Sequence, residues 1–376
     1  MARWRALRRG AGAVAAAVAA AVALGTVTPA AAAGGRGAHG ATRTAMAELV
    51  HGQDLPGAIA GAREDGAGWT TAVGVADTAT GRPRSPRERF RIGSVTKTFT
   101  ATVVLQLRAE GRLGLDDPVE RWLPGVVRGN GNLGAAITVR QLLGHTSGLF
   151  SFDEDPEMIR LLAGPDFLAH RYDTYRPEDL VRTALAHPPL FPAGTSRSYS
   201  NTNYLLAGMI IAEVTGRPYG EEIERRILRP LGLTSTSLPG TAAGLPHPHA
   251  LGYSKLFGGS PAPLETTRLN PSWAGAAGEM ISTTADLTRF HSALMRGQLL
   301  PRAELDEMLP AAGGPGLGIG SVTLGCGITV WGHTGGIHGS TTVSLTTRDG
   351  RHAFALNVNA DWLEHERPVA EAEFCG

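Results

Sequence analysis

The chain of 376 residues is poor in cysteine, in unbalanced charge and in long apolar runs, and each shortage excludes something. Two cysteines, Cys326 and Cys375, are too few for a small scaffold held together by a dense disulfide framework. Lysine and arginine total 35 against 34 aspartates and glutamates, a net charge of +1, with no basic run. Nothing therefore points to a nucleic-acid partner or an anionic membrane surface. Beyond the first 33 residues no apolar stretch is long enough to cross a bilayer, so no stable membrane anchor is expected. There is no internal repeat. The pair His247-Pro248-His249 looks metal-like, but proline restricts its geometry and no third ligand stands near it, so neither a metal nor a cofactor is expected.

Turning to what is present, Gly 50 and Pro 24 indicate many loops, while 42% hydrophobic residues argue for a packed core rather than disorder. Residues 1–33 read as an export signal: Arg3, Arg5, Arg8 and Arg9, an apolar core from Ala11 to Leu24, and the small residues Ala31-Ala32-Ala33 at a cleavage site. No cysteine follows that site to accept a lipid. A secreted, monomeric protein is expected. In an exported chain an even cysteine pair most simply forms a disulfide, the alternative being two buried thiols.

Periodicity predicts a first helix from Ala41 to His51 and a hairpin from strands Gly57–Arg63 and Trp69–Ala76 around Asp65-Gly66. A second hairpin, Thr341–Thr347 and His352–Val358 about Arg348-Asp349-Gly350, is followed by a helical tail from Trp362 to Phe374. Between these ends the pattern is helical: Val139–Leu143, Pro177–Ala186, and Tyr204–Thr215 stopped by Gly216 and Pro218. The expected fold is α+β. An antiparallel sheet flanked by helices is built from both chain ends (34–112 and 274–376), and a mostly helical lobe is inserted at 113–273, with 258–271 as return linker and a ligand cleft between the lobes.

The chemistry begins at Ser94-Val95-Thr96-Lys97. Phe99, Val103 and Leu107 continue a helix stopped at Gly111, so Ser94 is predicted at its N-terminus with Lys97 one turn on and beside it. The free N–H groups of the first turn favour oxyanion charge, and a Lys97 kept neutral by burial would accept the serine proton. Tyr199-Ser200-Asn201 follows a Pro/Gly loop and precedes a helix, which places Tyr199 as a proton-transfer group and Asn201 as a bridge between lysine and a substrate carbonyl. At His333-Thr334-Gly335-Gly336 the glycines let a substrate backbone approach a sheet edge. The Gly336 N–H would complete an oxyanion hole with that of Ser94, Thr334 would orient substrate, and His333 would supply positive charge.

Ser-x-x-Lys, then Tyr-Ser-Asn, then His-Thr-Gly before the last strands resembles the penicillin-recognising serine hydrolases, the class C β-lactamases and serine D-alanyl-D-alanine carboxypeptidases. Phe90 to Thr98, Ile137 to Leu143 running on through His145-Thr146-Ser147-Gly148-Leu149, and Tyr199 to Tyr204 carry the likeness, which spans the chain beyond the signal. The chain is most similar to secreted, soluble D-alanyl-D-alanine carboxypeptidases, which share the His-Thr-Gly form, a Trp-Ala segment like Trp273-Ala274 and a cysteine pair placed like Cys326 and Cys375. The resemblance implies acylation of Ser94, proton transfer shared by Lys97 and Tyr199, and substrate held by Asn201, Thr334 and the segments around Trp273 and His333–Gly336. Peptidoglycan stem peptides would be substrates and β-lactams acylating inhibitors. His145 is assigned to the shape of the helical lobe.

Two departures concern the substrate. The carboxypeptidases hold a free terminal carboxylate with an arginine in the strand before the first cysteine and a hydroxyl after His-Thr-Gly. Here residues 316–325 contain no arginine, Gly320 falls near its place, and Gly336 replaces the hydroxyl. Protonated His333 or His338 would be the substitutes. Gly-Gly after His-Thr also resembles esterase and β-lactamase members, which leaves a serine esterase or β-lactamase as alternatives, and a non-catalytic penicillin or peptidoglycan sensor as a third.

Overall fold

The computed structural model describes residues 39–376 except 259 and 311–313. The expected export signal lies outside the described residues. Strands β1 (Gly57–Glu64), β2 (Ala67–Asp77), β3 (Arg82–Pro83), β4 (Gly320–Thr323), β5 (Thr329–Ile337), β6 (Ser340–Thr347) and β7 (His352–Val358) form one antiparallel sheet in the order β4-β5-β6-β7-β1-β2-β3. The two chain ends meet at its centre, where Ala58 pairs with Val358 and Glu64 with His352. Both predicted hairpins are present. The first turns on Asp65 and Gly66, both at positive φ (46° and 92°), as the twist of a two-residue hairpin demands.

Side-chain alternation divides the core. Ala58, Ala60, Ala62, Phe354, Leu356 and Val358 face helices α1 (Gly40–Gly52) and α8 (Arg367–Cys375), whereas Ile59 and Ala355 face the main core. On that inner side lie α2 (Thr96–Ala109) and α7 (Thr284–Met295), with Phe99 stacked on Phe290 at 3.7 Å. Helices α3 (Val139–Leu143), α4 (Pro177–Leu185) and α5 (Thr202–Thr215) belong to the segment between the strands. Thr138 and Gln141 cap α3 reciprocally, and α5 stops at left-handed Gly216.

Two expectations are corrected. The tail is helical only from Arg367, because Asp361 is used as a hydrogen-bond acceptor by Ser254 and Lys255, and Glu364 N–H bonds Gln53, which keeps 361–364 out of the helix. The return linker also contributes a strand, Leu264–Glu265, paired with Tyr253–Ser254.

Cys326 and Cys375 are bonded, tying the β4–β5 turn to the last helix across 49 residues. The entropy lost by closing a loop of that size raises the free energy of the unfolded chain by about 4 kcal/mol. Cys375→Ser is expected to lower the free energy of unfolding by that order, and a urea midpoint identical to the wild type would show that the bond stabilises nothing.

Candidate active site

Glycines bring the nucleophile to the sheet. Gly93 has φ +50°, and a Cβ there would lie 2.8 Å from the backbone N of Gly336. A Cβ on Gly335 would lie 1.9 Å from Ile92 O and 2.8 Å from Ser94 N. Backbone thus packs on backbone, and Ser94 is held against the end of β5. Gly335 serves this approach, its Cα facing Ile92 and Ser94. Ser94 itself sits in a single 3₁₀ turn, Gly93–Val95, and the α-helix starts only at Thr96, two residues later than expected. The tighter turn is what lets Gly93 and Ser94 reach β5.

Lys97 is fully buried in the first turn of α2. Its Nζ stands 3.0 Å from Ser94 Oγ and donates to Asn201 Oδ1 at 2.8 Å and to Ala277 O at 2.7 Å. Once it has given up a proton, an amine bonded to these two acceptors can turn its lone pair toward the serine hydroxyl, the arrangement a general base needs. Ala277 belongs to the short helix α6 (Gly275–Gly278), whose Ala276 O also accepts from Thr100 on α2.

Asn201, at the start of α5, is oriented by a residue that the motifs did not indicate. Its Nδ2 donates to Asp153 Oδ2 at 2.9 Å and its N–H to Ser151 Oγ at 2.8 Å, while the Ser151 hydroxyl bonds the same carboxylate. Asp153 therefore settles which end of the amide faces Lys97. It lies 48 residues before Asn201, and no short spacing announces it.

Tyr199 stands beside the amine, with Nζ 4.9 Å from its ring centroid, and stacks on His145 at 4.2 Å. His145 Nδ1 accepts the Ser200 N–H, and Ser147 Oγ donates to Asn203, so the string 145–149 folds under 199–203 and forms part of the cleft wall.

His333 is 6.5 Å from Tyr199 between ring centroids. Desolvation, and then the nearby Lys97 charge, push its pKa down to about 4. His338, stacked on Phe167 at 4.1 Å, is held at about 4 chiefly by burial. These shifts favour the neutral imidazole at neutral pH, against the expectation that either ring supplies positive charge.

The cleft, about 250 Å³, is lined by Tyr199, His333 and Thr334, by Gly318–Val322 opposite, and by Arg197. Arg197 is a second residue the sequence reading did not select. Thr334 and Gly336 share the solvent-facing side of β5, and among the described residues no strand pairs the outer edge of residues 333–337, since β4 reaches only Thr329–Gly332. An extended substrate has that edge to join. Trp273 lies outside this cleft, edge-on to His338 in a cluster with Phe167, Leu269 and Ile337. Among the described residues no group of three His, Cys, Asp or Glu side chains could hold a metal ion, and no helix is long and apolar enough to cross a membrane.

A serine held on a buried lysine beside a glycine-rich strand edge defines a serine hydrolase of the penicillin-binding and β-lactamase superfamily. The chain belongs to the Beta-lactamase family, whose model matches residues 42–372. It is similar to a D-stereospecific amidohydrolase from Streptomyces sp., with 52% identity and a TM-score of 0.85 over 90% of this chain and 99% of that one. D-amino acid amidase from Ochrobactrum anthropi SV3 superposes with 29% identity and a TM-score of 0.75 over 89% and 97%. Penicillin-binding protein 4 of Amycolatopsis lactamdurans is 32% identical over 63% of this chain and 58% of its own. The chain spans 38% to 58% of the length of the curated relatives it matches.

Proposed function

We propose that the protein is an exported serine amidohydrolase that cleaves the amide bond on the carbonyl side of a D-amino acid residue through an acyl-enzyme on Ser94. One observation carries this reading: the Ser94–Lys97–Asn201 cluster is complete, while the cleft wall bears glycine at 320 and the strand position after His333-Thr334-Gly335 bears glycine at 336, where side chains would grip a free carboxylate. A site without those side chains does not require a free C-terminus, and a simple amide suffices. The likeness to the Streptomyces amidohydrolase supports the substrate class and its D configuration. The bonded cysteine pair and the N-terminal sequence support export.

In this mechanism Lys97 takes the Ser94 proton as Oγ attacks the carbonyl, and the N–H groups of Ser94 and Gly336 receive the oxyanion. The proton passes through Lys97 and Tyr199 to the leaving nitrogen, Asn201 and Thr334 hold the substrate, and water then releases the acyl group. Penicillins, being strained amides, acylate the same serine.

A second reading, D-alanyl-D-alanine carboxypeptidase, is favoured by Arg197, which brings a guanidinium to the same cleft. Ammonia release from D- and L-amino acid amides, run beside D-alanine release from diacetyl-Lys-D-Ala-D-Ala, separates the two. Turnover of the D-amides above the L-amides and above D-alanine release is expected. D-alanine release without amide turnover would transfer the assignment to the carboxypeptidase, and hydrolysis of nitrophenyl esters alone to an esterase.

A further inference from the structure

Leu256 and Phe257 are consecutive non-glycine residues in the left-handed region, at φ +48° and +53°. Bulky L-residues avoid that region, and the conformation persists only where the surroundings impose it. Here they do. Asp361 accepts from the Ser254 hydroxyl and the Lys255 N–H, Ser254 Oγ accepts from Leu256 N–H at 2.9 Å, and Gly258 N–H closes on Lys255 O at 2.9 Å. Leu256 is buried with Phe167, Leu269 and Ile337.

The corner holds the half-buried Phe257 ring at the end of β5. A Cβ on Gly336, pointing to the side that Thr334 shares, would lie 4.0 Å from Phe257 Cε1. Beneath, Phe257 meets the neutral ring of His338 edge-on at 5.2 Å. Where relatives with a hydroxyl after His-Thr-Gly present a polar group, this strand presents an open position walled by an aromatic ring.

The direction of the substrate follows from the proton path. The leaving nitrogen must sit beside the group that protonates it, and Tyr199, with His333 and Arg197, stands at the Thr334 end. With the carbonyl between Ser94 and Gly336, the leaving group runs toward Thr334 and the acyl portion toward Gly336 and Phe257.

We propose that Phe257 and the vacant side-chain position at Gly336 form the acyl-side subsite, which selects D-aminoacyl groups bearing an aromatic or large apolar side chain. This inference rests on the amidohydrolase reading. Offset or edge-on ring contacts and the apolar area they bury make such a side chain bind better than a methyl group.

The test compares kcat/KM for D-phenylalaninamide and D-alaninamide. Wild type is expected to favour the aromatic amide, and Phe257→Ala to reduce that preference roughly tenfold while D-alaninamide changes little. Phe257→Gly, whose backbone accepts positive φ freely, is expected to show the same loss without a lower Tm, and Phe257→Tyr to restore the preference. A preference unchanged in both Phe257→Ala and Phe257→Gly overturns the subsite. Failure of wild type to hydrolyse either amide overturns the amidohydrolase reading instead.

Discussion

Ser94→Ala is expected to lower kcat on D-amino acid amides by on the order of a millionfold, the loss seen when a serine nucleophile is removed from a preorganised site. Fold and substrate binding should survive, because the hydroxyl contributes one contact to Lys97 and the turn is set by Gly93 and Gly335. Incubation with a penicillin followed by intact-mass measurement should show an adduct on wild type and none on Ser94→Ala. An adduct retained by the variant would place the nucleophile elsewhere. Lys97→Met separates chemistry from architecture: it keeps the length of a fully buried side chain and removes only the amine. Loss of a general base costs about 10²- to 10⁴-fold. Lys97→Met should therefore acylate at least a hundredfold more slowly, with an unchanged near-ultraviolet spectrum.

The second large effect is on stability in acid. His291 is fully buried and His338 nearly so, and both are held at about 4 by desolvation, against 6.5 in an unfolded chain. The folded state thus binds fewer protons than the unfolded one between these values. Their contribution is fully present above pH 6.5 and is lost as pH falls toward 4. For each ring the difference corresponds to roughly 3 kcal/mol. Asp361 opposes this: burial raises it from 3.8 to about 6, so the folded state gains a proton, and stability, as pH falls through 6. Three depressed imidazoles, His291, His338 and the less buried His333, oppose two raised carboxyls, Asp361 and Glu279, and unfolding midpoints in urea should fall from pH 6.5 to 4. His291→Gln, whose side chain does not titrate, should lose roughly 3 kcal/mol less over the same interval. Parallel pH profiles for variant and wild type would mean that His291 is charged in the fold.

Legibility followed the range of the interactions. Both hairpins, the cap at Thr138, the stop at Gly216 and the spacing of Ser94 to Lys97 depend on neighbours within a few residues, so they could be read directly. Asn201 was legible because Tyr-Ser-Asn stands directly before a helix. Asp153 and Arg197 were not, since each matters only through what folding brings beside it. Phe257 was equally silent, because its significance is a backbone conformation imposed by Asp361, a hundred residues away. The charge of His333 was misread for a related reason: a histidine in isolation titrates near neutrality, and only the burial and the neighbouring lysine remove its proton.

The sequence by itself determined the serine chemistry and the α+β sheet made from both termini, because hydroxyl-amine spacing and side-chain periodicity are local properties. Only the tertiary structure decided what surrounds that chemistry: a lysine without solvent, an asparagine turned by Asp153, histidines with depressed pKa values, and an aromatic wall beside Gly336. Burial and long-range contact set protonation and shape, and neither exists until the chain has folded.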